Sequence, residues 1–281
     1  MGERAPWNII FDSHFHLSGK NTWEDALRRF RRYFGNAINL VNLPDYSLEP
    51  DSYYEEIYLR TVKVANLIRE AFKIHVEVSI GPYPLDFFYF QESGKNPRYE
   101  MFKGLHLAAK YISDGKASGF GEVGRPHFQV EPMVMEISND VITESMMLAK
   151  DLDTYVMLHT EDLNTDSIRE IEGFARKVGI NIERVIKHHA KIEILGDVPR
   201  MPKTLLATRN NVKLMIESGR YAMLESDYAN DPMNPDKLIP PESVPKRAIM
   251  IRQNFENYEN IFQKIFQDIP YSAFDDDFFK V

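Results

Sequence analysis

Six residues carry the side chains most capable of chemistry in this chain: His14, His16, Glu122, His159, His188 and Asp227. Imidazole nitrogen combined with carboxylate oxygen, and no sulfur, is a donor set suited to Zn²⁺ or another first-row divalent ion. Singly, each is a weak signal. A lone His-x-His pair is commonly a surface feature or a satisfied core pair, and a lone acid at a strand end commonly caps a helix. The combination is different, because four histidines and two acids at the carboxyl ends of five strands would converge, and buried charges need partners or metal.

The elements that would position them follow from the pattern of apolar runs. Short β-rich runs at 8–12, 37–42, 75–80, 119–123, 154–158, 184–187, 204–208 and 221–225 alternate with segments of helical period. The helical segments are 22–34, 52–72, 98–113, 139–150, 166–178, 191–195 and 212–217, with a last long one at 245–266. Thr22 with Asp25 and Ser52 with Glu55 have the spacing of capping boxes. Gly35, Gly115, Gly179 and Gly219 stand where helices should stop. Nearly continuous apolar strands are those of a parallel sheet covered on both faces. Eight β/α units predict a single-domain (β/α)8 barrel over residues 1–281, and no Gly-rich dinucleotide fingerprint follows the first strand. In such a barrel the carboxyl ends of the strands form one face, where active sites are built. His14 and His16, on alternate positions, would share a side. His188 and His189 are neighbours, so alternation allows only one of them to face inward.

Composition narrows the partners. The formal net charge is −8, and such a field disfavours long nucleic acid, whose binding rests on Lys and Arg neutralising phosphates. Arg28, Arg29, Arg31 and Arg32 fall on several faces of a predicted helix and read as its solvated surface. There is no cysteine, hence neither a disulfide framework nor a thiolate metal site. No apolar run reaches the roughly 20 residues of a membrane span. A cytoplasmic protein is the expectation. His75 opens the third strand, at the stability face of a barrel, and His106 lies within a helix. His127, in the loop after Glu122, and Arg125 near it are placed to touch a substrate, with a structural role as the alternative.

The ordered motifs DSHFHL, GFGEVG, VMLHT, VIKHH and LESDY resemble the TatD-related branch of the amidohydrolase superfamily. The resemblance implies a barrel with two divalent metals, Zn²⁺ foremost and Mn²⁺, Fe, Co²⁺ or Mg²⁺ as alternatives. It implies that His14, His16 and Asp227 hold one metal, that His159 and His188 hold the other, and that Glu122 bridges them. It also favours His188 over His189, leaving His189 to face the helices or the rim. Three departures alter the substrate wall. Gly81-Pro82-Tyr83-Pro84-Leu85 replaces a His-Pro-His run, putting Tyr83 where an imidazole would face substrate. Thr160-Glu161-Asp162 stands where an Arg is common, and Arg125-Pro126 where an acid is usual.

The implied chemistry is hydrolysis. Two cations would lower the pKa of a shared water to give hydroxide near neutral pH, and would stabilise the charge developing on the attacked oxygen. Asp227 would take the nucleophile's proton and pass it to the leaving group, with Glu122 fixing the metal spacing. A small phosphoester or a DNA end is the expected substrate, and a carbon ester, lactone or amide the alternative. A non-catalytic metal-binding barrel is a third reading, disfavoured because a structural metal needs neither an open position nor the base that Asp227 offers.

Overall fold

In the computed structural model, residues 9–18, 23–196, 200–230 and 239–280 are described. Nine parallel strands run through them: β1 Phe11–His16, β2 Ala37–Val41, β3 His75–Ile80, β4 Gly119–Gly124, β5 Val156–His159, β6 Val185–Lys187, β7 Thr204–Leu206, β8 Met223–Glu225 and β9 Tyr228–Ala229. Seven form one curled sheet in the order β6-β5-β4-β3-β2-β1-β9, and β7 pairs with β8 alone. The pair is joined to the sheet on both sides. A parallel bridge links Lys187 to Lys203. On the other side the Ser13 hydroxyl donates to Leu224 O at 2.9 Å, and the Ser226 amide donates to the Asp12 carboxylate at 3.0 Å. The architecture is α/β with a barrel-like parallel sheet. Among the described residues, the eight equal strands expected from sequence become seven in one sheet and two in another.

The helices lie outside, as the apolar pattern requires: α1 Trp23–Arg32, α2 Tyr53–Phe72, α3 Asp86–Glu92, α4 Pro97–Ser113, α5 Pro132–Asp151, α6 Thr165–Val178, α7 Arg209–Ser218, α8 Ser243–Asn254, α9 Tyr258–Gln263 and α10 Ile269–Phe274. Gly115, Gly179 and Gly219 adopt the left-handed conformation at helix ends, whereas beside Gly35 it is Phe34 that does so. Ser52 starts α2 without capping it, and its hydroxyl bonds Glu56 rather than an amide. Thr22, the other expected cap, lies outside the described residues. Among the described residues no helix is long and apolar enough to cross a membrane.

Several boundaries differ from the sequence reading for identifiable reasons. The first strand runs four residues beyond Asp12, because Ser13, His14 and His16 are polar yet find partners inside. Asn8, its expected start, lies outside the described residues. The segment 191–195 forms a 3-10 turn, Ile192–Gly196, not an α-helix. The expected long last helix breaks at Phe255, whose backbone is extended. Its second part then continues through a π turn, Lys264–Asp268, into α10.

The strand interior is polar at one level. Ser79 Oγ donates to Asn39 Oδ1 at 2.9 Å and meets the Tyr155 hydroxyl at 2.9 Å, while Asn39 donates to Ser13 O at 3.2 Å. One glycine of β4 is required by close approach. At Gly124 φ is +148°, and a Cβ there would fall 1.8 Å from His159 O, the atom that accepts from the Arg125 amide at 2.8 Å.

Candidate metal centre

The six candidate ligands come together at the carboxyl ends of the strands. β1 supplies His14 and His16, β4 supplies Glu122, and β5 ends on His159. His188 follows β6, and Asp227 follows β8. Asp227 lies just past its strand with φ +50°, and its amide donates to His14 O at 3.1 Å, which turns the side chain back over β1.

Glu122 stands at the middle. Its Oε1 is 3.6 Å from His14 Nε2 and 3.5 Å from His16 Nε2. Its Oε2 is 2.7 Å from His159 Nδ1 and 3.2 Å from His188 Nε2. Asp227 Oδ1 completes the first group, 3.8 Å from His14 Nε2 and 3.7 Å from His16 Nε2. Within each imidazole pair the ring nitrogens face one another, at 3.0 Å for His14 and His16 and at 3.2 Å for His159 and His188. Two facing ring nitrogens can hold only one proton between them, so at least one lone pair in each pair is directed inward.

The outward nitrogens have partners that fix this. His16 Nδ1–H donates to Val41 O at 3.1 Å, and His14 Nδ1 meets the Met157 sulfur at 3.0 Å. His188 Nδ1 lies 3.3 Å from Glu225 Oε2, and His159 Nε2 is 3.4 Å from His127 Nδ1. An imidazole whose outer nitrogen is hydrogen-bonded presents its other nitrogen as a ligand. The donor separations are close to the roughly 3.3 Å between ligands of a tetrahedral zinc ion. The residues therefore fit divalent metal.

Burial opposes protonation of His14, but Glu122, Asp227 and Glu225 outweigh it and raise the imidazole to about 9, a proton that a bound metal would displace. Burial opposes ionisation of Glu122, yet His159, His188 and His14 hold its carboxyl well below the usual range. Asp227 is likewise held down, against burial, by His189 and the other imidazoles. Burial and the neighbouring His14 push His188 down to about 4, keeping it neutral as a ligand must be.

His188 is thus in the cluster, and His189 is not excluded from the site by strand alternation. β6 stops at Lys187, and His189 adopts φ +53°, bringing its Nδ1 to 3.6 Å from Asp227 Oδ2 with 48% of the side chain exposed. Tyr83 packs edge-on against His159, ring centroids 5.0 Å apart. Its loop is anchored by Asp86. That carboxylate accepts from the hydroxyls of Tyr46 (3.1 Å), Tyr53 (2.8 Å) and Tyr54 (3.1 Å) and from the Tyr83 amide (2.9 Å).

Arg125 is not free for substrate, contrary to the sequence expectation. It is 3% exposed and bonds Asn139 Oδ1 at 2.7 Å, Glu161 Oε1 at 3.1 Å and Glu170 Oε2 at 2.7 Å. Glu161 is thereby ion-paired, sharing the guanidinium with Glu170, and Asp162 pairs with Lys191 at 2.6 Å. The sequence reading gave Glu225 no role. It is fully buried, bonds the Thr204 hydroxyl as well as His188, and lies two residues before Asp227. The signal was an acid closing an otherwise apolar strand, Met223–Glu225. Of the surface arginines, Arg28 pairs with Glu24 and Asp25, and Arg29 with Glu242.

Imidazole pairs on either side of one buried carboxylate, at the strand ends of a parallel α/β sheet, are the donor set of a metal-dependent hydrolase. Comparison with known proteins agrees. The family described as TatD related DNase matches residues 11–275. An uncharacterized protein of Methanocaldococcus jannaschii is 27% identical over 245 residues, covering 84% of this chain and 85% of that one. The fold is shared with a TatD-like protein from Archaeoglobus fulgidus (18% identity, 89% of this chain and 95% of that chain, TM-score 0.62). It is shared equally with the phosphotriesterase homology protein of Escherichia coli, solved with phosphate in its active site (12%, 95% and 99%, 0.61). A mutant PTE-like lactonase from Deinococcus radiodurans is a further fold neighbour (12%, 97% and 98%, 0.61). The chain belongs to the TatD-related DNase family and is a metal-dependent hydrolase.

Proposed function

We propose that this protein is a dinuclear hydrolase of phosphoesters, small or at the end of a DNA strand, on a closed, single-domain (β/α)8 barrel. The observation that carries the reading is the division of Glu122. One carboxylate oxygen faces His14 and His16, and the other faces His159 and His188. His14, His16 and Asp227 would hold one ion, His159 and His188 the other, with Glu122 common to both. When bound, two divalent cations, Zn²⁺ first among them, make a water acidic enough to act as a nucleophile near neutral pH and polarise the oxygen under attack.

The chain's own residues do the rest. Asp227, kept ionised, accepts the nucleophile's proton and returns it to the leaving group. His189 steadies the second oxygen of Asp227, aligning the first. Glu225 holds His188 in the tautomer that offers Nε2 inward. Tyr83 and His127 flank His159 and form the wall against which a substrate lies.

The family description and the phosphate in the active site of the Escherichia coli fold neighbour support a phosphoester substrate. A carbon ester or lactone is the second reading, favoured by Arg125, whose guanidinium is committed to Asn139, Glu161 and Glu170 rather than open to a phosphate. The experiment is metal analysis of protein purified without chelator, followed by assay on bis(p-nitrophenyl) phosphate, p-nitrophenyl phosphate, p-nitrophenyl acetate and a γ-lactone. The expected result is about two metal equivalents, phosphoester turnover that chelation removes and metal restores, and inhibition by inorganic phosphate. Turnover surviving rigorous chelation defeats the metal mechanism. Metal-dependent turnover of the acetate or lactone alone replaces the substrate.

A further inference from the structure

A second group of metal-type donors lies at the opposite end of β3. His75 opens the strand and Glu77 is two residues on, so both side chains leave the same face. Asp276 joins them from the C-terminal segment, where it caps the 3-10 turn Asp277–Phe279. His75 Nε2 is 3.1 Å from Glu77 Oε1 and 3.2 Å from Asp276 Oδ2, and the three donor atoms lie within 4.8 Å of one another. A tetrahedral zinc ion spaces its ligands by about 3.3 Å.

The donors are held in place. The Phe278 ring lies flat on the imidazole, centroids 4.0 Å apart and planes within 3°. The Phe278 amide donates to Asp276 Oδ1 at 2.7 Å, leaving Oδ2 turned toward His75. Glu77 is buried. His75 and Asp276 are partly open, so a water could complete a coordination shell.

The group is short of positive charge. His75 is the one basic side chain in ion-pair range of either acid among the described residues. Arg69 is close by, but its guanidinium bonds Val76 O at 2.6 Å and Asn66 Oδ1 at 3.0 Å. Burial and the facing Asp276 push the Glu77 carboxyl up. Asp276, against its own burial, is held down by its hydrogen bonds with Glu77 and the Phe278 amide. Two carboxylates thus converge on one imidazole, an arrangement whose charge a divalent cation would balance.

We propose that His75, Glu77 and Asp276 bind a divalent cation of the zinc type at the base of the sheet, apart from the centre at the strand ends, and that this ion ties the C-terminal segment to β3. The test uses full-length, chelator-treated protein carrying His14→Asn and His188→Asn, which disable the other centre, titrated with Zn²⁺ and separately with Co²⁺. The expected result is saturable uptake of one equivalent, a rise in Tm with Zn²⁺, and visible Co²⁺ bands of a four-coordinate site. Adding Glu77→Gln or His75→Gln should weaken uptake at least roughly tenfold. If Glu77→Gln fails to fold by circular dichroism, His75→Gln, at the more exposed edge, carries the comparison. Absence of stoichiometric uptake, or uptake that the substitutions leave intact, overturns the site. None of these readouts depends on turnover.

Discussion

Replacing Glu225 with Gln isolates what a buried charge behind a ligand contributes. The side chain keeps its shape, and its amide oxygen can still accept from Thr204 Oγ1, so the packing around this fully buried position survives. What is lost is the negative charge 3.3 Å from His188 Nδ1. At an effective dielectric of about 20, a full unit charge on the imidazole would feel about 5 kcal/mol at that distance. A coordinated imidazole bears only part of that charge, which agrees with the 10–100-fold (about 1.4–2.7 kcal/mol) usual when a group behind a ligand is removed. Burial already depresses the basicity of His188, and Glu225 opposes that depression. Glu225→Gln should therefore weaken metal at the His159–His188 position by about 10–100-fold and leave the His14–His16 position nearly unchanged. Competition against a chromophoric chelator resolves the two affinities, and circular dichroism reports the fold. Wild-type affinities at both positions, together with a large loss of Tm, would refute the reasoning and make Glu225 a packing residue.

Asp227→Asn should fold normally, retain most of its metal and lose at least roughly 10²-fold in kcat, measured on the best substrate of the screen; normal turnover at normal metal content removes Asp227 from proton transfer. His188→Ala should lose one metal equivalent and all turnover. His189→Ala should keep both metals but lower kcat several-fold, by up to roughly 1 kcal/mol for one lost, partly exposed ion pair, since it touches Asp227 rather than the metal cluster; metal loss in His189→Ala would make it a ligand. Arg125→Ala should cost about 1–3 kcal/mol in denaturant unfolding, discounted for the partial exposure of Glu161 and Glu170, with KM unchanged. A KM raised tenfold at unchanged stability would return Arg125 to the substrate.

The six metal-type residues were readable because each is a polar exception at the end of an apolar run, and parallel strands bring such ends to one face. The extent of β1 was not readable for the same reason. Ser13, His14 and His16 look like loop chemistry until their partners on β2, β5 and β8 are known. α3 went unseen because DFFYFQE is too apolar throughout to show a helical period. The direction of His189 depends on one positive φ, which no alternation rule contains. Arg125 looked like a substrate contact because its partners, Asn139, Glu161 and Glu170, are distant in sequence, and Glu161 looked like a free acid for the same reason.

The anchoring of the loop after β3 bears on how the specificity of this protein can be altered. Asp86 grips the backbone amide at position 83 and not the Tyr83 hydroxyl, and its other three bonds come from tyrosines at 46, 53 and 54. The frame of that loop is thus separable from the ring it presents to His159. Exchanging Tyr83 for Phe, His or Leu changes the surface a substrate meets while the scaffold behind it stays bonded as before, whereas altering Asp86 releases four donors at once. Position 83 is an interchangeable face on a fixed mount, and a library confined to it samples substrate preference without first losing the fold.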